Sequence, residues 1–360
     1  MKALVIGGTG PTGPLIVQGL QERGYHVVML NRGTRRLPEE VTGVEHIRAD
    51  PHFAETLGLA LADLRFDLVI AAYGRLRVMP AILRECTQRV ISIGGTAFTD
   101  LDGRPADETA PRQMRNTLVQ KIVETETAIL EAHRRGDFNL THMRYPNVWG
   151  PRQLAPREWS VVRRVLDGRP FIPVIDGGLT LESKAFADNA AHAVLLAVDQ
   201  PDRASGQIYN VADECTPPDA VRARDLARAL GSEIEYLSLP ETMSGPAAFW
   251  GIARDMNFSR EGRPPHAHHQ IIDIGKLKTE LGYRDAVPYE VAAERTARWY
   301  RDHPLERGGA AEAQLGDPFD YASEDAYAAA VALFRRTVSS IAFPGIEYIH
   351  PYSHPRSPQS

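Results

Sequence analysis

Cysteine is scarce in this chain, with Cys86 and Cys215 as the only two among 360 residues. Neither their number nor their spacing gives a basis for a disulfide framework or a cysteine-based metal site. Long apolar runs are absent as well, because Met1 and Lys2 are followed by only four apolar residues before the first glycine. That run is too short for a signal peptide or a membrane span. We therefore expect a cytoplasmic protein that has no membrane partner.

No run of one charge sign dominates the sequence. Lysine and arginine total 41, against 46 aspartates and glutamates, which gives a net charge of −5. This balance argues against nucleic acid as the main partner, although a local basic patch would escape such a count. With 43% hydrophobic residues, the chain can bury a full core in one large or two smaller domains. A small molecule is the expected partner.

What the chain does have is a glycine-rich turn close to its start. Residues 1–14 read MKALVIGGTGPTGP, so a short apolar run opens directly into glycines. Such a turn lets backbone approach a pyrophosphate and aims the N-terminus of the next helix at it. An amphipathic segment and a second apolar run follow, which is context that a lone glycine pattern lacks. The turn predicts a dinucleotide site, with an empty tight turn as the alternative. The predicted contacts are Gly7, Thr9, Gly10, Pro11, Thr12 and Gly13.

Apolar runs alternate with amphipathic stretches as far as about residue 210. This rhythm predicts a Rossmann-type α/β fold, a doubly wound parallel sheet with helices between its strands. The predicted strands are Ala3–Ile6, His26–Leu30, Val44–Ile47, Leu68–Ala72, Val90–Ile93 and Leu140–Arg144. The predicted helices between them are Pro14–Arg23, Ala54–Asp63, Val78–Arg84 and Arg115–Arg134.

From about residue 151 the chain carries many prolines, and its predicted helices are interrupted. We expect residues 1–150 to bind the cofactor and residues 151–303 to form a smaller substrate lobe, with some segments returning to the sheet. Residues 304–360 are expected to form a C-terminal extension that begins with a linker rich in glycine and alanine, Gly308–Ala313. The predicted helices here are Glu158–Leu166, Asp188–Val198, Ala220–Leu230, Asp273–Leu281, Pro288–Tyr300 and Ser323–Val338.

The end of the second predicted strand indicates which dinucleotide is bound. Residues 30–33 read LNRG, whereas NAD sites of this design usually place an acid here for the ribose 2′-OH. A guanidinium can instead hold a 2′-phosphate, which an acid would repel. We predict NADP(H) in preference to NAD(H), with Asn31 and Arg32 as contacts. Arg35 and the arginine after it either contact the cofactor as well or belong to a solvated loop. Asp50 either meets the adenine amino group or is a surface turn residue.

Four later stretches carry a family resemblance in their order along the chain. Residues 143–153 read MRYPNVWGPRQ, residues 186–191 read FADNAA, residues 206–211 read GQIYNV, and residues 273–283 read DIGKLKTELGY. With the glycine turn, this set resembles the extended short-chain dehydrogenase/reductases, the NAD-dependent epimerase/dehydratase family, over residues 1–303. The LNRG segment is also similar to an atypical branch of that family, which includes chloroplast stem-loop-binding proteins.

The resemblance also locates the catalytic positions, and there the sequence departs from the family. In the family, a tyrosine four residues before a lysine exchanges a proton with the substrate oxygen, and the lysine favours its phenolate. Lys121 occupies the lysine position and would contact the cofactor ribose, but the tyrosine position is Thr117. Thr96 either supplies the hydroxyl expected after the fifth strand or braces the loop. Tyr73 either replaces the missing acid or packs against the cofactor.

The resemblance implies further cofactor and substrate contacts. An arginine that commonly binds the diphosphate in nucleotide-sugar enzymes falls near Glu182 here, which argues against such a substrate. Lys184 is a candidate substitute for it, and Asn147 is a second candidate substrate contact. The implied cofactor contacts after the fourth and sixth strands are Ala71, Ala72, Tyr145, Pro146 and Val148.

Three further features keep alternative interpretations. The aspartates at positions 100, 102 and 107 form an acid/base pair or a solvated surface. Residues 266–269 read HAHH and contact substrate, bind a metal or form a solvated loop. The apolar tail segment 345–350 covers the cleft or a partner subunit, so a homodimer is compatible with the sequence.

The sequence as a whole predicts an NADP(H)-dependent oxidoreductase, or an epimerase/dehydratase-like enzyme, that acts on a small oxygenated metabolite with a non-standard active site. The alternative is a cofactor-binding protein without redox turnover, either regulatory or RNA-associated, or a non-redox enzyme on the same scaffold.

Overall fold

The computed structural model describes residues 1–35, 38–39, 41–72, 76–97, 104–112, 114, 117–240 and 269–352. Tyr73, Arg36, two of the three aspartates and two of the three clustered histidines lie outside these residues. The chain divides into two units, Met1–Pro318 and Phe319–Ser360. The predicted functional boundaries at residues 150 and 303 stay predictions. Among the described helices, none is both long enough and apolar enough to cross a membrane.

Seven parallel strands form the central sheet of the first unit. In chain order, the described strands are β1 (Lys2–Ile6), β2 (His26–Asn31), β3 (Glu45–Arg48), β4 (Leu68–Ala72), β5 (Arg89–Gly95), β6 (Asn139–Tyr145), β7 (Asn147–Trp149), β8 (Phe171–Ile175), β9 (Lys184–Phe186), β10 (Gln207–Asn210) and β11 (Glu235–Leu239). The sheet order is β10-β6-β5-β4-β1-β2-β3. Its direction of growth reverses between β1 and β4, which is where doubly wound sheets form a ligand crevice. The predicted fold class is confirmed.

Helices cover both faces of this sheet. The described helices are α1 (Gly13–Glu22), α2 (Ala54–Leu61), α3 (Pro80–Cys86), α4 (Thr117–Arg134), α5 (Trp159–Leu166), α6 (Ala187–Asp199), α7 (Asp219–Arg228), α8 (Gly275–Leu281), α9 (Tyr289–Asp302), α10 (Ala310–Ala313) and α11 (Tyr321–Ser339). Ala3 and Val5 of β1 belong to the core cluster that includes α1 and α6. Leu4 and Ile6 belong to the cluster on the opposite face, with α2, α3 and α4. Because both faces of β1 are buried, its residues Ala3–Ile6 form an unbroken apolar run.

Two small parallel pairs lie outside the main sheet. Strand β7 pairs with β9, and β11 pairs with β8. The β7–β9 pair carries Trp149 and Phe186, whose rings are 5.2 Å apart and pack with Tyr289 of α9. This pairing sets Asn147 beside Lys184 in register, so residues 37 positions apart in sequence share one strand pair.

The prediction of a linker over Gly308–Ala313 is wrong in part, because Ala310–Ala313 forms the short helix α10. Its Glu312 is buried and accepts a hydrogen bond from Nε1 of Trp159 at 2.9 Å. The backbone N–H of Gly308 donates to the other carboxylate oxygen at 2.7 Å. The buried carboxylate of Glu312, with its hydrogen bonds, therefore fixes a segment whose glycine and alanine content alone predicts a flexible linker.

The second unit contains α11, whose first turn is capped by the Asp320 carboxylate accepting from the N–H of Ser323 at 3.1 Å. The tail segment that the sequence singled out follows this helix. Its Ile346 and Ile349 are 94% and 81% exposed in the structure.

Candidate active site

A cleft of about 580 Å³ lies where β1, β2, β5 and β6 end. Its wall includes the whole glycine turn from Gly7 to Gly13, then Asn31 and Arg32, then Tyr145, Pro146 and Val148. With Asn147 and Arg35, and without Gly8, thirteen of the positions that the sequence singled out line the cleft. The wall also contains residues that the sequence did not single out, which are Gly8, Thr34, Pro51, His52, Ile93 and the four residues Gln153, Leu154, Ala155 and Arg157.

The glycine turn combines tight backbone packing with open space. A Cβ on Gly13 would lie 2.0 Å from the carbonyl oxygen of Gly8, so this position admits no side chain without backbone movement. Gly8 itself has a φ of +75°, a left-handed conformation that favours glycine. A Cβ on Gly10, in contrast, would meet no atom within 4 Å. The turn therefore leaves room at Gly10 for a ligand group directly in front of the N-terminus of α1.

The opposite wall of the cleft, at the end of β2, is basic. The Asn31 side chain accepts a hydrogen bond from the N–H of Gly33 at 2.8 Å, and Gly33 has a φ of +71°. This tight turn brings Arg32, Thr34 and Arg35 to the cleft, with both arginines exposed. Their guanidinium groups are free to move toward a ligand.

Asp50 does not itself reach the described wall. Its carboxylate accepts from the N–H of His52 at 3.0 Å and lies 2.8 Å from Nδ1 of the same residue. These bonds to His52 hold the pKa of Asp50 below its usual range. Asp50 thereby fixes His52, which does line the cleft beside Pro51. The predicted contact between Asp50 and adenine stays a prediction.

Charge on the described wall has one sign. Arg32, Arg35 and Arg157 line the cleft, and no aspartate or glutamate is among the described lining residues. A concave, cationic wall that meets a helix N-terminus suits a dinucleotide, whose pyrophosphate is anionic. The residues present therefore fit the predicted cofactor.

At the other end of the cleft, the hydroxyl of Tyr145 already makes a hydrogen bond within the protein. This hydroxyl donates to the carbonyl oxygen of Ala190 at 2.7 Å, and the residue is 3% exposed. The N–H of Thr96 donates to the carbonyl oxygen of Tyr145 at 2.9 Å. Thr96 is therefore next to the cleft and half-buried, although it is not among the lining residues. A phenol that already donates to a backbone carbonyl is a poor proton donor for substrate.

The remaining predicted contacts are not among the residues that line the described cleft. Thr117 and Lys121 are both exposed and one turn apart on α4. Ala71 is buried at the end of β4, and Ala72 is the last residue of that strand. Their roles stay predictions.

A buried polar row connects α4 to the sheet. The Ser92 hydroxyl lies 2.7 Å from Nδ1 of His142, and Nε2 of His142 lies 3.3 Å from the Glu126 carboxylate, which also pairs with Arg144 at 2.8 Å. Although burial opposes ionisation, hydrogen bonds from His142 and Arg144 hold the pKa of Glu126 well below its usual range. Ser92 and His142 are 0% and 1% exposed, so a substrate has no access to them. The row anchors the helix that carries Lys121.

A second buried group of charges lies behind Asn147. Nδ2 of Asn147 donates to Oε1 of Glu182, and Nζ of Lys184 lies 3.8 Å from Oε2 of Glu182 and 3.9 Å from Oε1 of Glu158. Burial raises the pKa of Asp219 to about 7, with Lys184 and Arg222 opposing the shift. Asn147 lines the cleft, whereas Lys184, also predicted to contact substrate, is buried and is not among the described lining residues.

Two features with open interpretations have local structural roles. The Asp107 carboxylate accepts from the N–H and the hydroxyl of Thr109 at 2.8 and 2.7 Å, which lowers its pKa. Nδ1 of His269 accepts from the N–H of Leu181 at 3.1 Å. Among the described histidine, cysteine, aspartate and glutamate residues, no three are grouped in a way that could hold a metal ion.

Comparison with known proteins agrees with this architecture. Residues 71–212 match the model of the NAD dependent epimerase/dehydratase family. The dTDP-glucose 4,6-dehydratase of Neisseria gonorrhoeae is 22% identical over 276 residues, which cover 74% of this chain and 76% of that protein. The 3-diazoavenalumate denitrifying reductase of a Streptomyces species is 24% identical over 328 residues, covering 81% of this chain and 100% of that protein.

Solved structures show the same fold. The UDP-glucuronic acid 4-epimerase of Bacillus cereus, in complex with NAD, superposes with a TM-score of 0.66 at 16% identity. The match covers 85% of this chain and 100% of the epimerase chain. The structural match shows the shared fold, and the family match confirms, for residues 71–212, the resemblance to the NAD dependent epimerase/dehydratase family found in the sequence.

Proposed function

We propose that this enzyme uses NADP(H), in preference to NAD(H), to act on a small oxygenated metabolite as an oxidoreductase or an epimerase/dehydratase. The observation that carries the cofactor preference is the wall at the end of β2. Asn31 stands where an acid would face the ribose, and Arg32 and Arg35 line the cleft next to it. A 2′-phosphate would meet guanidinium groups there, and no carboxylate is among the described lining residues.

The residues of the cleft divide among the parts of the cofactor. The turn at Gly10 and the first amides of α1 would receive the pyrophosphate, and Arg32 the 2′-phosphate. Tyr145, Pro146 and Val148 would border the nicotinamide. When bound, the nicotinamide supplies or accepts a hydride at C4.

The chain's own residues would manage the proton. Lys121 would position the ribose, and Thr96, or a nearby hydroxyl or water, would polarise the reacting oxygen. Direct proton transfer requires a heavy-atom distance of about 3 Å to that oxygen. The Thr117 hydroxyl is a far weaker acid than the phenol that the family uses at this position.

Calorimetric titration of the protein with NADPH and with NADH tests the cofactor proposal. Loss of a charge-assisted hydrogen bond in Arg32→Ala removes about 1.5–3 kcal/mol, so NADPH affinity should fall by roughly 10- to 100-fold. NADH affinity should stay nearly constant. Lys121→Ala should weaken both nucleotides, because the ribose that it would position is common to them.

Arg301→Ala serves as the matched control. Arg301 is an exposed arginine at the end of α9 that is absent from the described cleft wall, and it should bind NADPH like the unchanged protein. The proposal fails if the protein does not bind NADPH, or if Arg32→Ala and Lys121→Ala bind it as tightly as the parent.

A second candidate is a protein that binds the cofactor without net redox turnover, either regulatory or a non-redox enzyme. Two observations favour it: Thr117 replaces the usual tyrosine, and the Tyr145 hydroxyl is already bonded to Ala190. Nicotinamide absorbance misses reactions that are redox-neutral overall. Product analysis by mass spectrometry must therefore accompany it, and product without absorbance change would favour internal hydride return or non-redox chemistry.

The expected setting and partner remain part of the proposal. We propose a cytoplasmic enzyme with a small-molecule substrate, in which a homodimer is compatible with the sequence. Both cysteines are free thiols, with Cys86 buried and Cys215 exposed, which suits a reducing compartment.

A further inference from the structure

The buried charges behind Asn147 form a compact group, the β9 charge cluster, made of Glu158, Glu182, Lys184 and Asp219. Each of the four residues is at most 5% exposed. Within the described part of the chain, Nζ of Lys184, Oε2 of Glu182 and Oδ1 of Asp219 have no hydrogen-bond partner. Three carboxyl groups thus accompany one ammonium group, so the cluster carries no excess of positive charge.

Arg222 adds a positive charge close enough to lower the pKa of Asp219, but it does not line the described cleft. Its guanidinium lies over the rings of Trp149 and Tyr289, at 5.2 and 5.8 Å from their centres. The residue is 1% exposed, and Nε1 of Trp149 donates to Asp213 at 2.7 Å. Arg222 is therefore held by aromatic packing and is not presented to a ligand.

Glu182 determines which atom Asn147 offers to the cleft. The Asn147 amide nitrogen donates to Oε1 of Glu182. The reversed orientation would set the amide oxygen against a carboxylate oxygen, which two acceptors disfavour. No donor among the described residues reaches the amide oxygen of Asn147, so this oxygen is open to a ligand. Asn147 thus offers an acceptor at the cleft wall, and its amide nitrogen is bonded to a buried carboxylate.

From this geometry we propose that Glu182 is a specificity-determining residue: the substrate group received at Asn147 is an uncharged hydrogen-bond donor, a hydroxyl, and not a phosphate or diphosphate. A hydroxyl satisfies the free acceptor of Asn147. A phosphate offers mainly acceptors and negative charge, and would face the amide oxygen and the Glu182 carboxylate together. The inference deepens the proposed function, because it names the substrate chemistry of the same cleft.

A pair of matched sugars tests this inference on NADP⁺-loaded protein. Methyl α-glucoside and α-glucose 1-phosphate share one ring and differ in charge, and saturation-transfer NMR titration gives a dissociation constant for each. The unchanged protein should bind the neutral sugar at least about tenfold more tightly, because juxtaposed like charges are strongly disfavoured. In Glu182→Gln the preference should shrink severalfold, chiefly through tighter binding of the phosphate ester.

Two further variants keep the result interpretable. Glu233→Gln makes the same substitution at an exposed glutamate and should leave the preference unchanged. Asn147→Ala, at a half-buried position, removes the acceptor without altering a buried charge, and should lose the neutral sugar while keeping NADP⁺ affinity. Asn147→Ala still tests the inference if the Glu182→Gln protein does not fold.

The outcomes separate this inference from the proposed function. A protein that fails to bind NADP(H) overturns the proposed function before any sugar is added. A protein that binds NADP⁺ but prefers glucose 1-phosphate, binds the two sugars equally or binds neither overturns the inference alone. So does a preference that Glu182→Gln leaves unchanged in folded protein.

Discussion

The two ends of the cleft handle charge in opposite ways. At the end of β2, Arg32 and Arg35 are exposed cations on a turn, without a described carboxylate in the wall. Behind Asn147, Glu182 and Lys184 are each 2% exposed and lie 3.8 Å apart inside the protein. The exposed arginines at the end of β2 are available to a ligand, whereas the buried charges behind Asn147 interact with one another inside the protein. Mutations should therefore affect cofactor affinity at the first end, and folding together with substrate preference at the second.

The largest effect should come from breaking the buried end. Lys184→Met leaves the carboxylates of Glu158 and Glu182 buried without their ammonium partner, and such a change costs about 3–5 kcal/mol. Urea denaturation measures the free energy of unfolding. Lys121→Met, at an exposed lysine of α4, is the control and should stay within about 0.5 kcal/mol of the parent. A Lys184→Met protein as stable as this control would show that the cluster has no structural role.

The glycine turn should respond next, and its two glycines should respond differently. Gly13→Ala places a Cβ against the Gly8 carbonyl, so we expect a loss of about 2–3 kcal/mol in the free energy of unfolding. Gly10→Ala meets open space and should fold normally, but its methyl group would occupy the path of the pyrophosphate. We therefore expect Gly10→Ala to bind NADPH about tenfold more weakly, which corresponds to about 1.4 kcal/mol of binding free energy.

Denaturation and NADPH titration of both variants separate these effects. Equal stability of Gly13→Ala and Gly10→Ala would contradict the packing argument. Unchanged NADPH affinity in Gly10→Ala would contradict the assignment of the open space to the cofactor.

The same contrast explains what the sequence could predict. Six strands of the sheet were predicted within about two residues of their observed ends. The signal was strongest for β1 and β2, because a strand buried on both faces reads as an apolar run. The glycine turn was equally visible, since backbone conformation there demands particular residues. Strands β7 and β9 have only three residues each and mix polar with apolar side chains, so periodicity gives no signal for them.

Contacts made by tertiary structure escaped prediction. The bond from Asn147 to Glu182 spans 35 residues and exists because β7 pairs with β9. His52 reaches the cleft because Asp50 holds it, although only Asp50 was singled out. Polar residues in otherwise apolar strands, such as Ser92 and His142, were the available signal for the buried row that anchors α4.

The smallest effect, taken over one pH unit, should be a pH dependence that originates at the buried end. The pKa of Asp219 is raised from its usual value near 4 to about 7, because burial disfavours the charged form. Between these values the unfolded chain has released this proton and the folded chain retains it. The free energy of unfolding should therefore decrease as the pH rises from about 4 to about 7, by at most about 1.4 kcal/mol per pH unit. Above about pH 7 both states are ionised, and this contribution to the slope ends.

Asp219→Asn isolates that contribution, because an amide has the shape of the protonated acid and does not titrate. The difference in unfolding free energy between variant and parent, measured by urea denaturation, should grow in favour of the variant from pH 5 to pH 7. Asp302→Asn alters an exposed carboxylate on α9 and should show no such growth. NADPH affinity should be the same in both variants, since Arg32 and the glycine turn lie at the other end of the cleft. A parent and Asp219→Asn with parallel pH profiles would mean that Asp219 is already ionised in the folded protein, held by Lys184 and Arg222.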